Sequence, residues 1–325
     1  MNKCKQCKVE LTWENKTICV KCGVEICEDC SMKNKFKCEK CADKLKIKIP
    51  DVIRRSSIED YRSCPYYFKL HIIDGNEPRQ NVLARLGSDL HDMYESIQRG
   101  DLHIEDVENK SNEIINKIQE DYPGEDIDRL WDRTNTCNES FLKLLPTLNK
   151  AIQFEERIEF EIGKDLPKVT IAYDRLEEDE NGDLHIVDWK TGKVMSGKKL
   201  TTDLQPALYL KAVESKYGKM PKSFKLIYVG DTDKQGNYKE RTFTSIDGNK
   251  FVCKVGNKEY IQDITEQIKV VQKLFAQIKQ GKFSIPQKPD YFKCKMCDFK
   301  TKGLCDGNDT QNWININEER QRYGW

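Results

Sequence analysis

Residues 168–192 read KVTIAYDRLEEDENGDLHIVDWKTG. Two runs rich in β-branched and aromatic residues, Lys168–Leu176 and Leu184–Trp189, flank the turn-forming pair Asn181-Gly182. That pattern predicts an antiparallel hairpin. A further strand is expected at Arg157–Ile162. The hairpin brings Asp174 and Asp188 to one edge, where two carboxylates can hold a divalent cation. Lys190 follows Asp188 by two positions, so on a strand its side chain shares that face. A hard cation held by carboxylates beside an ammonium suits phosphodiester hydrolysis. The cation polarises the phosphate and acidifies a bound water, while Lys190 orients that water and neutralises charge. Taken alone the D-x-K triplet is a weak signal, because a solvated hairpin offers the same residues.

Charge is distributed in keeping with that chemistry. The 325 residues carry 55 Lys+Arg and 54 Asp+Glu, a net of +1, which excludes a histone-like or polybasic chain. Residues 155–188 hold twelve acidic and four basic side chains, a net of −8. Residues 190–222 hold eight basic and two acidic, a net of +6. A metal-binding edge beside a phosphate-attracting one is what a nuclease needs. Mean hydropathy is −0.75, and no run approaches the roughly 18 apolar residues of a membrane helix. The first residues lead into no apolar signal segment, so a cytoplasmic protein is expected. There, fourteen cysteines read as metal ligands rather than disulfides.

Outward from the hairpin, Ser56-Ser57-Ile58-Glu59 reads as a capping box opening a short helix. Residues 88–120 and 126–152 carry helical patterns broken by Gly100 and Pro123-Gly124. A helix over 203–217 is ended by Gly218, strands follow near 223–229 and 239–245, and a long helix covers about 259–280. Strands mixed with helices give an α/β class, a mixed sheet flanked by helices with a helical insertion at about 88–152. The boundary with a small N-terminal module falls at 45/46, within the stretch Lys44 to Asp51.

That module holds eight cysteines in four C-x2-C pairs: Cys4 and Cys7, Cys19 and Cys22, Cys27 and Cys30, Cys38 and Cys41. Each pair can clamp one metal, so four pairs make two tetrahedral structural zinc sites. Metal binding would supply the folding free energy that so short a segment lacks. Residues 19–31 resemble the centre of FYVE/RING-like cross-brace zinc modules. The resemblance implies that pairs one and three share one zinc and pairs two and four the other. Thr17-Ile18 stand where FYVE domains carry their basic lipid-binding signature, so phosphoinositide binding is not implied.

The remainder resembles the RecB/AddB-like branch of the PD-(D/E)xK nucleases, including the CRISPR-associated RecB-like exonucleases. Five features match in order over about 50–310. They are the helix at residues 56–66 with its Cys64-Pro65, the segment Gly87-Ser88-Asp89-Leu90-His91, and Asp174 with Asp188-Trp189-Lys190. Gln205 and Tyr209 as Q-x3-Y follow, and then Cys294-Lys295-Met296-Cys297 with Cys305. Tyr173 stands where the superfamily name has proline. The resemblance implies a restriction-endonuclease-like sheet, with His91, Asp174 and Asp188 ligating Mg2+ or Mn2+, helped by the Trp189 carbonyl. It implies that Lys190 is catalytic and that Gln205 and Tyr209 position substrate or Lys190. It also implies a [4Fe-4S] cluster on Cys64, Cys294, Cys297 and Cys305. Four thiolates by themselves leave zinc as the alternative. Residues 267–302 carry nine basic and two acidic side chains, a net of +7, so this lobe can also contact DNA.

Gly192-Lys193-Val194-Met195-Ser196-Gly197-Lys198-Lys199 nearly reads as a P-loop, but Lys199 replaces the Ser/Thr that contacts Mg2+. It is read as the loop after the catalytic strand. Without a motor motif, unwinding would fall to a separate helicase or recombination protein. The expectation is therefore a metal-dependent deoxyribonuclease, an exonuclease on single-stranded DNA ends in repair, recombination or phage DNA metabolism. The rival readings are a non-catalytic nucleic-acid-binding or adaptor protein on the same fold, and an RNA-directed nuclease.

Overall fold

The computed structural model describes residues 3, 4, 9, 10, 12, 16–18, 25–33, 48–286 and 291–305. The chain divides into two units, residues 1–49 and 50–325. In the first unit, β1 (Lys16–Ile18) pairs antiparallel with β2 (Glu25–Cys27), and α1 (Glu28–Lys33) follows directly.

The second unit opens with β3 (Val52–Arg54), α2 (Arg55–Ser63) and α3 (Pro65–Phe68). The capping box expected at Ser56 is not formed. The N-cap lies two residues earlier, at Arg54, with no side-chain cap. Glu59 instead accepts a hydrogen bond from the backbone of Leu204 at 3.3 Å. Three helices come next, α4 (Val82–Arg99), α5 (Val107–Asp121) and α6 (Ile127–Leu144). Asn81 and Asp126 cap α4 and α6 through their side chains, satisfying backbone donors that a helix start leaves open.

The strands β4 (Lys150–Phe160), β5 (Lys168–Glu178) and β6 (Leu184–Trp189) follow. After them come α7 (Lys199–Thr202), α8 (Gln205–Tyr217), β7 (Ser223–Thr232), β8 (Tyr238–Asp247), β9 (Lys250–Val255) and β10 (Lys258–Asp263). The unit closes with α9 (Ile264–Lys279), α10 (Tyr291–Lys295) and α11 (Asp298–Thr301). The long helix expected from residue 259 starts five residues later. Lys258–Asp263 is a strand paired with β9, and the Asp263 side chain caps α9 by accepting from Glu266 N.

Among the described residues, β3 to β10 form one mixed sheet in the order β10-β9-β8-β7-β6-β5-β3, with β4 also on β5. Thr170 pairs both β3 and β4, while Arg175 pairs both β4 and β6. One edge of β5 is therefore taken by β4, and the other is shared by β3 and β6. Helices cover both faces. Leu86, Leu90, Tyr94, Ile115 and Phe141 from α4 to α6 pack with Val187, Trp189, Ile227 and Val229 of the sheet. Each such fully buried side chain contributes about 1.5–3 kcal/mol. On the opposite face, Tyr217 of α8 meets Tyr173 and Glu156. The mixed α/β sheet flanked by helices is the architecture expected from the sequence.

Candidate active site

The β5–β6 hairpin is built on Asp179. Its Oδ1 accepts from Asn181 N at 2.9 Å and Asp183 N at 2.8 Å, and Gly182 takes a left-handed φ of 75°. The β5–β6 ladder ends with the pair Arg175 and Val187. One step further along the same register, Asp174 faces Asp188. Opposite residues of an antiparallel pair share a face, so the hairpin sets both carboxylates side by side at the end of β6.

His91 reaches this end from α4. Its Nδ1 lies 3.1 Å from Asp174 Oδ1, and the other oxygen, Oδ2, accepts from the backbone of Trp189 at 2.5 Å. Gly87, one helical turn before His91, explains the approach. A Cβ there would stand 2.9 Å from Thr191 Oγ1, so glycine lets α4 pass close above the end of β6.

Asp188 is only 2 % exposed. Its Oδ1 accepts from Gln205 Nε2 at 3.0 Å, and its Oδ2 is ion-paired with Lys190 Nζ. Gln205 thus holds Asp188 rather than Lys190. Tyr209, one turn further along α8, is buried with its ring edge-on to Phe224 at 5.5 Å. The Lys190 backbone is fixed on both sides: its N–H donates to Ile227 O at 2.7 Å, and its carbonyl accepts from Gly230 N at 3.3 Å. Gly230 is required here, because a Cβ would lie 2.0 Å from Thr191 O.

One residue was not anticipated. Glu155 joins His91 and Asp174, and one ligand atom from each of the three lies within 4.8 Å of the others. Glu155 was hidden because the strand was expected to begin at Arg157. Extending alternation back through β4 would have put Glu155 on the same face as Asp174. An imidazole nitrogen and converging carboxylate oxygens are a donor set for Mg2+ or Mn2+. Asp188 stands beside this set.

The electrostatics are those of crowded carboxylates. Burial, then the charge of Asp174, pushes the Glu155 carboxyl up to about 8. Burial, opposed by Lys190 and reinforced by Asp174, raises Asp188 to about 6. Burial would also raise Asp174, but the charge and hydrogen bond of His91, with Lys190 and the Trp189 N–H, outweigh it and hold Asp174 low. Burial would lower His91, yet Asp174 overrides it and the imidazole is raised.

The second cysteine set also assembles. Cys64, at the N-terminus of α3, accepts from Tyr67 N through Sγ at 3.4 Å. It lines a cavity of about 340 Å³ together with Cys294, Cys297 and Tyr67. Burial raises the Cys64 thiol, with Cys305 and Cys297 adding to it, and burial likewise raises Cys294, with Cys64, Cys297 and Cys305 adding. Among the described residues, no three of these four sulfurs lie within 4.8 Å of one another. In the first unit, Cys4, Cys27 and Cys30 do converge within 4.8 Å. These are members of the first and third pairs. Cys7, Cys19, Cys22, Cys38 and Cys41 lie outside the described residues.

A mixed sheet carrying a carboxylate pair, a histidine and a lysine at one strand end defines a hydrolytic nuclease. The chain belongs to the PD-(D/E)XK nuclease superfamily, whose family model matches residues 55–305. Among solved structures, the crystal structure of SSO0001 is similar at 14 % identity, with a TM-score of 0.32 over 77 % of this chain and 92 % of that one. No curated protein matches.

Proposed function

We propose that the chain is a metal-dependent deoxyribonuclease acting as an exonuclease on single-stranded DNA ends. Its setting would be repair, recombination or phage DNA metabolism, beside a separate helicase or recombination protein. The observation that carries this reading is Lys190, held by its backbone between Ile227 and Gly230 and ion-paired with Asp188 beside the His91–Asp174 pair. His91, Asp174 and Asp188 are the expected ligands of Mg2+ or Mn2+, which when bound supplies phosphate polarisation and a more acidic water. Asp174 stays ionised and ready to bind a cation. Lys190, ion-paired with Asp188 and fixed by its backbone, would orient the attacking water and face the phosphate. Gln205 fixes the Asp188 carboxylate in place, and buried Tyr209 packs the helix that carries Gln205. No helix among the described residues is long and apolar enough to cross a membrane.

Cys64, Cys294, Cys297 and Cys305 are proposed to hold a [4Fe-4S] cluster. The meeting of Cys64, Cys294 and Cys297 around one cavity supports a shared metal group, with zinc as the alternative that four thiolates allow. The eight N-terminal cysteines are proposed to hold two zincs, with the convergence of Cys4, Cys27 and Cys30 supporting the cross-brace pairing. The test is end-labelled single- and double-stranded DNA incubated with Mn2+ and protein purified without oxygen. Lys190→Ala should cleave about 10²–10⁴-fold more slowly. Equal cleavage by both proteins would refute the assignment, and a colourless protein with zinc and no iron would refute the cluster.

A further inference from the structure

The β4–β5 ladder pairs Phe154 with Arg175 and Glu156 with Tyr173. Glu155 and Asp174 fall between these pairs, and Asp174 and Asp188 are the next residues beyond the Arg175–Val187 pair of β5 and β6. Three carboxylates therefore form one row across three adjacent strands, with His91 above the middle one. Like charges directly opposite on paired strands are destabilising, and burial of Asp174 makes the repulsion stronger. The chain does not turn Glu155 away. It holds this residue at a left-handed φ of 43°, which a non-glycine residue adopts at a cost, and that backbone delivers its carboxylate within 4.8 Å of His91 and Asp174.

We propose that Glu155 is a direct ligand of the divalent cation, forming with His91 and Asp174 the tight donor set at the centre of the row. This rests on the reading of the site as cation-dependent. Glu155 lies outside the D-x-K segment and reaches the site only through the β4–β5 register. Its contribution is a hard, anionic oxygen donor, the type that suits Mg2+ and Mn2+. It also frees Asp188 from completing the donor set by itself, so Asp188 can keep its contact with Gln205.

The test titrates Mn2+ into the full-length protein freed of divalent cations, following unbound Mn2+ by its EPR signal. Glu155→Gln keeps the shape and removes the charge, while Glu155→Gly also relaxes the left-handed backbone. Both should weaken Mn2+ binding at least about tenfold, the scale reached even by groups one shell removed from a metal. Both should also unfold, without metal, at the wild-type temperature or above it. Asp174→Asn marks loss of the site itself. If Glu155→Gln and Glu155→Gly bind Mn2+ like wild type while Asp174→Asn does not, Glu155 is no ligand and the cation site stands. If wild type and Asp174→Asn bind equally weakly, the cation-dependent reading of the site falls, and the role of Glu155 with it.

Discussion

Replacing Gly230 by alanine puts a methyl group 2.0 Å from the carbonyl oxygen of Thr191 and 2.7 Å from its carbon. Both contacts are with backbone, so no side chain can rotate to relieve them. A relaxed C···O contact is about 3.3 Å or longer, so β7 and the segment leaving β6 must part by about 1.3 Å. Lys190 lies immediately before Thr191, and its carbonyl accepts from Gly230 N, so the displacement reaches the Lys190 ammonium. A misplacement of about 1 Å costs on the order of 10²-fold in rate. Overpacking of this kind costs about 1–3 kcal/mol of stability, or roughly 2–4 °C in Tm for each kcal/mol. His91, Asp174 and Glu155 are on other elements, so Mn2+ affinity should fall less than the rate, through Asp188 alone, which precedes Lys190 by two residues at the end of β6. Steady-state cleavage of single-stranded DNA, Mn2+ titration and thermal unfolding check the three parts. Gly87→Ala serves as a control, since its Cβ meets a Thr191 hydroxyl at 2.9 Å that can rotate away; its loss of rate should be the smaller. A Gly230→Ala protein with kcat within twofold of wild type would show that this close approach does not position Lys190.

Two further substitutions probe the frame around the site. Phe141 is fully buried, stacked on Tyr94 at 3.9 Å and edge-on to Trp189 at 5.5 Å, so Phe141→Ala should cost about 3–5 kcal/mol; a loss below about 1 kcal/mol in urea unfolding would mean the helical layer collapses into the gap. Glu156 is opposed by its partial burial but held below its ordinary value by Lys216, Tyr173 and Tyr217. A depressed carboxylate stabilises the fold above the unfolded value of 4.5, and that contribution disappears as pH falls through the folded value. Glu156→Gln should therefore lose about 1–2 kcal/mol at neutral pH and draw level with wild type in acid. An equal deficit in urea unfolding at pH 7 and at about pH 3 would contradict this.

The hairpin around Asp174 and Asp188 was legible because its information is local: alternating strands, an Asn-Gly turn and a D-x-K triplet within one short segment. Leu184–Trp189 matches the strand found, and Lys168–Leu176 falls short by two residues. Strand β4 was read seven residues short at its start. Its first half carries Lys150, Gln153, Glu155 and Glu156, and its register shifts between Ala151 and Gln153, so polar residues and a bulge disguise the start of the strand that holds Glu155. The error at β10 has the opposite cause. Ile264, Ile268, Val271, Phe275 and Ile278 keep true helical spacing, but the helix starts only at Ile264, because the partner strand that claims Lys258–Asp263 lies just upstream. Gly230 could not be read at all, because the atom that forbids its side chain belongs to Thr191, on a different strand end.

Helix α2 joins two places in the nuclease unit. Cys64 follows its last turn, facing Cys294 and Cys297 across their common cavity. Glu59, near its middle, holds the backbone of Leu204, immediately ahead of Gln205 and so of Asp188. Tyr61 on the same helix donates to Lys282 O at 2.7 Å, tying it to the segment after α9. One helix therefore touches the cysteine-lined cavity, the segment after α9 and the residue ahead of Gln205, so three parts of the unit far apart in sequence share a single rigid element.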